Sequence, residues 1–491
     1  MKKILSVILT AALLISSVSI AAFAADNTDY IITNPYENVD WDTWEAYKTQ
    51  LHCHTTASDG FQKIGEVIQR YYDLDYDIVA ITDHGTINKG WNKAPDLVDI
   101  MRLIKKERTG NLPVIPLTDE AYEAYTTGTA ATSEGVVRTH TTGLLDVPKG
   151  IELNMATPIA DCHLTGYWSD YGQGLAGVFG DYETPSAGVR KAGGISMLSH
   201  VGEYVYPDKD SEKYVGQKID EYYVNKFARI FLDNPGSSVG MGINSATDAH
   251  TRCDRILYDQ ILAKTIPNGV VPWAFSFSDS HNDASLNDAY TMMLMPEHSN
   301  EALRACMENG EFFAVSHYSN GVELNGMAEI PGYVESEVDY WSNNTPMVTR
   351  LTVDEENDTI TVEGENFNMI TWVSGGNVIL REEGIEDGKA VLDLHASDLL
   401  DTPETFVRFY LVGEDGICYS QPMVLRKAGE EFAPVEVPVT RDVSTRLRTL
   451  VTVLDWMIFK WSPIVWAFKY FALGYDPVRQ TMDSVKDVFV R

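Results

Sequence analysis

Basic residues are scarce in this chain of 491 residues: 38 Lys and Arg stand against 71 Asp and Glu, for a formal charge of −33. A surface of that sign repels polyanions, which argues against binding polymeric DNA or RNA. A small anion in a cationic or metal-filled pocket stays open. Cysteine is sparse as well. Cys53, Cys162, Cys253, Cys306 and Cys418 are scattered, odd in number and never spaced C-x-x-C, so they give no disulfide framework.

Long apolar runs are nearly absent. The clear one lies in residues 1–24, where Lys2 and Lys3 precede the apolar residues 4–20 and Ala22-Phe23-Ala24 follows. That order is a secretory signal peptide, or an uncleaved anchor, and places the remainder outside the cytoplasm, secreted or on the cell envelope. Cleavage removes two lysines and no acid, so the charge moves from −33 to −35. Residues 446–475 are apolar and aromatic, but Lys460, Pro463 and Lys469 interrupt them. No run of about eighteen apolar residues remains for a spanning helix. A helical tail over residues 442–491 is expected instead, packed on the protein or lying at a membrane surface.

Hydrophobic residues make up 44% of the chain, enough for a large core and two or more domains. The pattern opens at Leu51-His52-Cys53-His54-Thr55-Thr56-Ala57-Ser58-Asp59-Gly60. Alternation along an extended segment puts the imidazoles of His52 and His54 on one side, with Cys53 turned into the wall. Asp59, on a turn closed by Gly60, can return a carboxylate to the same place. Ile64, Val67, Ile68 and Tyr71 then recur at helical spacing, and residues 76–85 form a buried strand ending in Asp83-His84. A β–α–β order this short argues for parallel strands.

Polar residues recur after short apolar runs: Glu152 in Gly-Ile-Glu, His163 in His-Leu-Thr-Gly-Tyr, His200 in Leu-Ser-His, and Asp279 and His281 in Ser-Asp-Ser-His. Packing does not explain so many strands ending in His, Asp or Glu. A helix-like stretch spans 96–106. Arg138 and His140 fall in a Thr/Gly-rich insertion from which they could reach a substrate, and are read in preference as solvated loop residues. Lys89, Arg190 and Lys191 flank the motifs and are candidates to clamp a phosphate, though surface ion pairs explain each of them as well.

In this order the motifs resemble the polymerase and histidinol phosphatase (PHP) superfamily of metal-dependent phosphoesterases, over residues 45–320. The resemblance implies a distorted (β/α)7 barrel with two or three divalent ions (Mn, Fe or Zn) at its mouth. One metal would be held by His52, His54, Glu152 and Asp279. Glu152 would bridge to a second, held by His163 and His200, and Asp59, His84 and His281 would hold the third. Asp83 would orient a neighbouring ligand. A water made acidic by the metals would attack phosphorus in a small phosphorylated mono- or diester. An amidohydrolase-type hydrolase of amides or lactones is the nearest rival, and a non-catalytic surface binder with structural metals is a third reading. Residues 318–346 read as a linker. Residues 347–427 alternate in short runs and predict a small β-sandwich-like domain.

Overall fold

The computed structural model of the chain describes residues 29–97, 114–154, 162–174, 182–205, 218–245, 251–317 and 343–439. The leader, residues 98–106 of the helix expected at 96–106, most of the linker and the aromatic tail lie outside the described residues. Among those described, the chain is a mixed α/β protein built on sheets.

The first two strands are β1 (Tyr30–Thr33) and β2 (Glu45–Gln50). The helix Ile64–Asp73 follows, its start fixed by a hydrogen bond from Lys63 N to Glu66 Oε2 at 2.8 Å. It buries Ile64, Val67, Ile68 and Tyr71, the face the spacing predicts. β3 (Ile78–Val79) lies parallel beside β2, and β4 (Leu145–Asp146) parallel beside β3. Between them in the chain lies a short helix, Asp119–Thr126, just ahead of the Thr/Gly-rich insertion.

Five strands form a second sheet: β5 (Ile151–Asn154), β6 (His163–Tyr167), β7 (Ile195–Leu198), β8 (Ser238–Ser245) and β9 (Trp273–Phe277). β5, β6 and β7 are antiparallel, whereas β7, β8 and β9 are parallel and joined by the helices Glu221–Asp233 and Thr251–Thr265.

The expected closed (β/α)7 barrel is not formed among the described residues. Seven strands stand in cyclic order, β2, β3, β5, β6, β7, β8 and β9, but their ladder is interrupted twice. One isolated bridge, His84↔Glu152, crosses from the chain beyond β3 to β5; another, Cys53↔Ser280, crosses from beyond β9 to the chain after β2. Leu51, Ile78, Ala80, Tyr167, Ile195, Met197, Phe275 and Phe277 of these segments belong to one buried cluster. Tyr167 ties the two sheets by donating its hydroxyl to Leu51 O at 2.6 Å.

β10 (Ala289–Met295) pairs antiparallel with β2, and β11 (Phe312–Ser316) with β10, separated by the helix Asn300–Asn309. The rest of the described chain is β: β12 (Met347–Asp354), β13 (Thr359–Glu365), β14 (Met369–Ser374), β15 (Asn377–Glu383), β16 (Lys389–Asp393), β17 (Phe406–Gly413), β18 (Gly416–Tyr419) and β19 (Met423–Lys427). β12, β13 and β16 make a separate sheet. β18 instead extends the large sheet through β11, and β19 pairs with β1. A buried two-pronged ion pair adds to this union: Arg408 of β17 meets Asp259 through Nε at 2.8 Å and Nη2 at 3.0 Å. No helix among the described residues is long and apolar enough to cross a membrane.

Candidate metal centre

The chain leaving β2 stays extended, so His52 and His54 emerge on the same side, both buried. His54 N donates to Ser280 O at 2.9 Å, which docks this segment against the chain leaving β9. The turn then brings Asp59 back. A Cβ on Gly60 would sit 2.7 Å from His54 C, His54 O and Thr55 N, so only glycine lets the turn close that tightly. His84 follows β3, Glu152 lies within β5, His163 opens β6, His200 follows β7, and Asp279 and His281 follow β9. His200 (φ 29°) and Asp279 (φ 49°) both occupy the left-handed region. Non-glycine residues seldom adopt it, and such strain concentrates at functional sites.

All nine side chains expected at the site come together, in four overlapping groups whose ligand atoms lie within 4.8 Å of one another. Glu152, fully buried, is the hub. His163 Nδ1 stands 2.6 Å from its Oε1, His84 Nδ1 2.6 Å from its Oε2, and His54 Nε2 3.3 Å from its Oε2. His52, His200 and Asp279 form another group, with Asp279 Oδ1 3.1 Å from His52 Nε2 and Oδ2 3.5 Å from His200 Nε2. The third acid, Asp59, lies 3.3 Å from His281 Nε2 and 3.4 Å from His84 Nε2. The grouping differs from the expected sets in two respects: His54 joins the Asp59 group, and Asp279 sits with His200.

Electrostatics separates the members. Burial opposes charge on Glu152, but the imidazoles of His84, His163 and His52 outweigh it and hold its carboxyl well below the usual range. Asp59 is likewise held low: burial is overcome by His84 and His281. Burial pushes His52 down, favouring the neutral imidazole that a metal requires. Burial and His84 push His54 the same way, yet Asp279 and Glu152 lift it to about 9.

The ligands are oriented from behind. His52 Nδ1 pairs with Thr82 Oγ1 at 2.7 Å. His54 Nδ1 pairs with Ser58 Oγ at 3.2 Å, and Ser58 donates to Asp83 Oδ1 at 2.5 Å. Asp83 also accepts from Thr55 N at 2.8 Å and Thr55 Oγ1 at 2.7 Å. It therefore braces the loop from Thr55 to Asp59 and aims His54 through Ser58. Thr82 and Ser58 were not singled out from sequence; their adjacency to Asp83 and Asp59 was the available signal.

This donor set fits divalent ions. Imidazole nitrogens and carboxylate oxygens converge without a thiolate, as suits Mn, Fe or Zn. His52 Nε2, Asp59 Oδ1 and Glu152 Oε2 are buried and make no hydrogen bond of good geometry, the condition of lone pairs left for a cation.

Three candidate phosphate clamps are not brought to the cluster. Arg190 and Lys191 end the helix Glu183–Lys191 and precede β7, at the opposite end of that strand from His200. Arg190 donates to Asp233 O at 2.5 Å. Lys89 is exposed and pairs with Asp96. Arg138 is not solvated as expected: its guanidinium is buried and ties Tyr72 O, Tyr76 O and Thr142 O at 2.8–3.1 Å. His140 is more open and pairs with Asp77 at 2.7 Å. Cys53 is buried against Ala80 O, as the alternation implies.

No family model matches the chain, and no curated protein matches it in sequence. Among solved structures it is similar to a two-domain protein from Bacteroides vulgatus containing a predicted PHP-like metal-dependent phosphoesterase (12% identity, TM-score 0.38, 78% of this chain and 96% of that one). It is also similar to a protein from Bifidobacterium adolescentis that carries the name of a metal-dependent phosphoesterase (14%, 0.26, 48% and 87%). A third is an amidohydrolase from Chromobacterium violaceum with sulfate bound and no metal (13%, 0.26, 48% and 89%). At these scores the likeness carries no argument about this chain's activity. Of these three solved structures, two carry the name of a metal-dependent phosphoesterase and one that of an amidohydrolase.

Proposed function

We propose that this protein is an exported metal-dependent phosphoesterase of PHP type, hydrolysing a small phosphorylated mono- or diester. The observation that carries the reading is the convergence of six imidazoles and three carboxylates in one place among the described residues. Buried carboxylates without cations are costly, and divalent ions are the matching partner.

His52, His54 and Glu152 would hold one ion with Asp279; Glu152, His163 and His200 a second; Asp59, His84 and His281 a third. Such ions supply neutralisation of phosphoester oxygens and activation of water at neutral pH. The chain's own residues do the positioning. Thr82 holds the Nδ1 side of His52, so that Nε2 faces the cluster. Ser58 does the same for His54 with Asp83 behind it. The interrupted ring reads as a distorted barrel of seven strands, with the cluster standing where the chain leaves β2, β3, β7 and β9. That is the edge at which barrel enzymes place their chemistry.

Export rests on residues 1–24, and contact of residues 446–475 with a membrane surface rests on their aromatic content. Residues 45–320 would form the catalytic unit and residues 347–427 a β unit built onto it. The acidic surface supports a small substrate over a nucleic acid.

The test is a panel of phosphomonoesters, phosphodiesters, amides and lactones, assayed with Mn, Fe or Zn added back. Metal-dependent release of phosphate or alcohol is the expected result and names the ester class. Bound metals with turnover of amides or lactones alone would replace this reading with an amidohydrolase. Bound metals with no turnover of any class would point to a surface binder.

A further inference from the structure

The helix Thr251–Thr265 carries a buried cation that has no anionic partner among the described residues. Arg255 is 1% exposed. Its Nη1 donates to Asn244 Oδ1 at 3.1 Å, while Nε and Nη2 are buried and make no hydrogen bond. No carboxylate among the described residues pairs with it. Both acids of its own helix are engaged elsewhere: Asp254 accepts from Gly202 N, and Asp259 holds Arg408.

Leaving a buried guanidinium unpaired costs several kcal/mol on the order of other broken buried pairs, and the unused N–H groups add to that cost. A fold that keeps such a group is built to receive an anion. The free edge, Nε with Nη2, is the fork that grips two oxygens of one phosphate or carboxylate; Arg408 uses the same edge on Asp259.

The position also matches. Asn244 is the penultimate residue of β8. β7, β8 and β9 run parallel, so their C-terminal ends share one edge. His200 follows β7 and Asp279 follows β9 at that same edge. Asn244, between them in the sheet, holds Arg255 there.

We propose that the Nε–Nη2 edge of Arg255 binds a pair of phosphoryl oxygens of the substrate beside the metal cluster, which rests on the phosphoesterase reading above. Arg255, and not Lys89, Arg190 or Lys191, is then the cation that anchors the substrate's charge.

Calorimetric titration of inorganic phosphate into the metal-loaded protein tests this, comparing wild type with Arg255→Gln and Arg255→Lys. Arg255→Gln is expected to weaken phosphate at least tenfold at unchanged metal content, and to raise KM for the phosphoester more than it lowers kcat. Arg255→Lys, which keeps the charge and loses the fork, recovers part of the affinity. A folded Arg255→Gln protein with wild-type phosphate affinity overturns the proposal. If Arg255→Gln does not fold, wild-type affinity in Arg255→Lys overturns it and a several-fold loss supports it. Failure of the phosphoesterase reading looks different: no phosphoester turnover in wild type, with Arg255-dependent phosphate binding intact.

Discussion

His84 and Glu152 meet twice. Their backbones form an isolated bridge across the seam between the β3 and β5 segments, and His84 Nδ1 stands 2.6 Å from Glu152 Oε2. The cluster therefore sits where the ladder is missing, and ions held by these side chains would close the ring. Metal should stabilise the fold as well as serve chemistry. Chelation is expected to lower the melting temperature, by an amount that reflects about 4 kcal/mol at a thousandfold excess of metal over Kd. Differential scanning calorimetry with and without chelator checks this. A melting curve indifferent to metal would show that the cluster does not bind it.

Asp83 acts through Ser58 and Thr55, so its loss should weaken metal binding while leaving the nine ligating groups in place. Asp83→Asn and Ser58→Ala are expected to lower metal affinity by about 10- to 100-fold. Competition with a metallochromic indicator measures it. Wild-type affinity in both variants would leave the bracing network without a role at the centre.

Gly60 is the closure of the Asp59 turn. Alanine there would press on the backbone of His54 and Thr55, against which no side chain can yield. Gly60→Ala should displace Asp59 from His84 and His281 and lower the number of ions bound. Elemental analysis of the variant, with circular dichroism as a fold control, decides this; full metal content would mean that the turn absorbs the methyl group.

Asp146 gives a pH signature remote from the ligands. Burial pushes its carboxyl up to about 7, against hydrogen bonds from Trp91 N and Asn88 Nδ2. Unfolded, the group titrates near the ordinary aspartate value of 3.8. Between these values the folded state holds a proton that the unfolded state has released. Stability therefore falls as pH rises through that window, and levels off above it. Asp146→Asn keeps a neutral side chain and should gain stability over wild type at pH 8 relative to pH 4. Urea denaturation at both values reads the difference, and a gain independent of pH would contradict it.

The cluster was legible in sequence because each ligating side chain lies in, opens or follows a strand, where a periodic apolar run stops at a His, Asp or Glu. The helix Ile64–Asp73 was legible for a similar local reason. Strand direction was legible only at the start, where the β–α–β order gives β2 and β3 parallel; it was not legible for β5, β6 and β7. β5 and β6 are joined by too short a segment for a helical crossover, which favours antiparallel pairing, yet β6 and β7 are antiparallel with a helix between them. β1 was hidden because its partner β19 lies at the far end of the described chain. Arg190 and Lys191 misled by proximity: they are close to His200 along the chain but lie at the other end of β7. Arg255 could not be read at all, since an unpaired buried cation is visible only once its neighbours are known.

The most direct measurement takes metal content and phosphoester turnover on the same preparations of wild type, His54→Ala and Glu152→Ala. Wild type should carry two or more divalent ions per chain and hydrolyse at least one phosphoester; both variants should lose ions and fall at least a thousandfold in kcat/KM, about 4 kcal/mol. Wild-type protein that binds no divalent ion, or variants that keep full turnover, would contradict a metal-dependent phosphoesterase built on these residues.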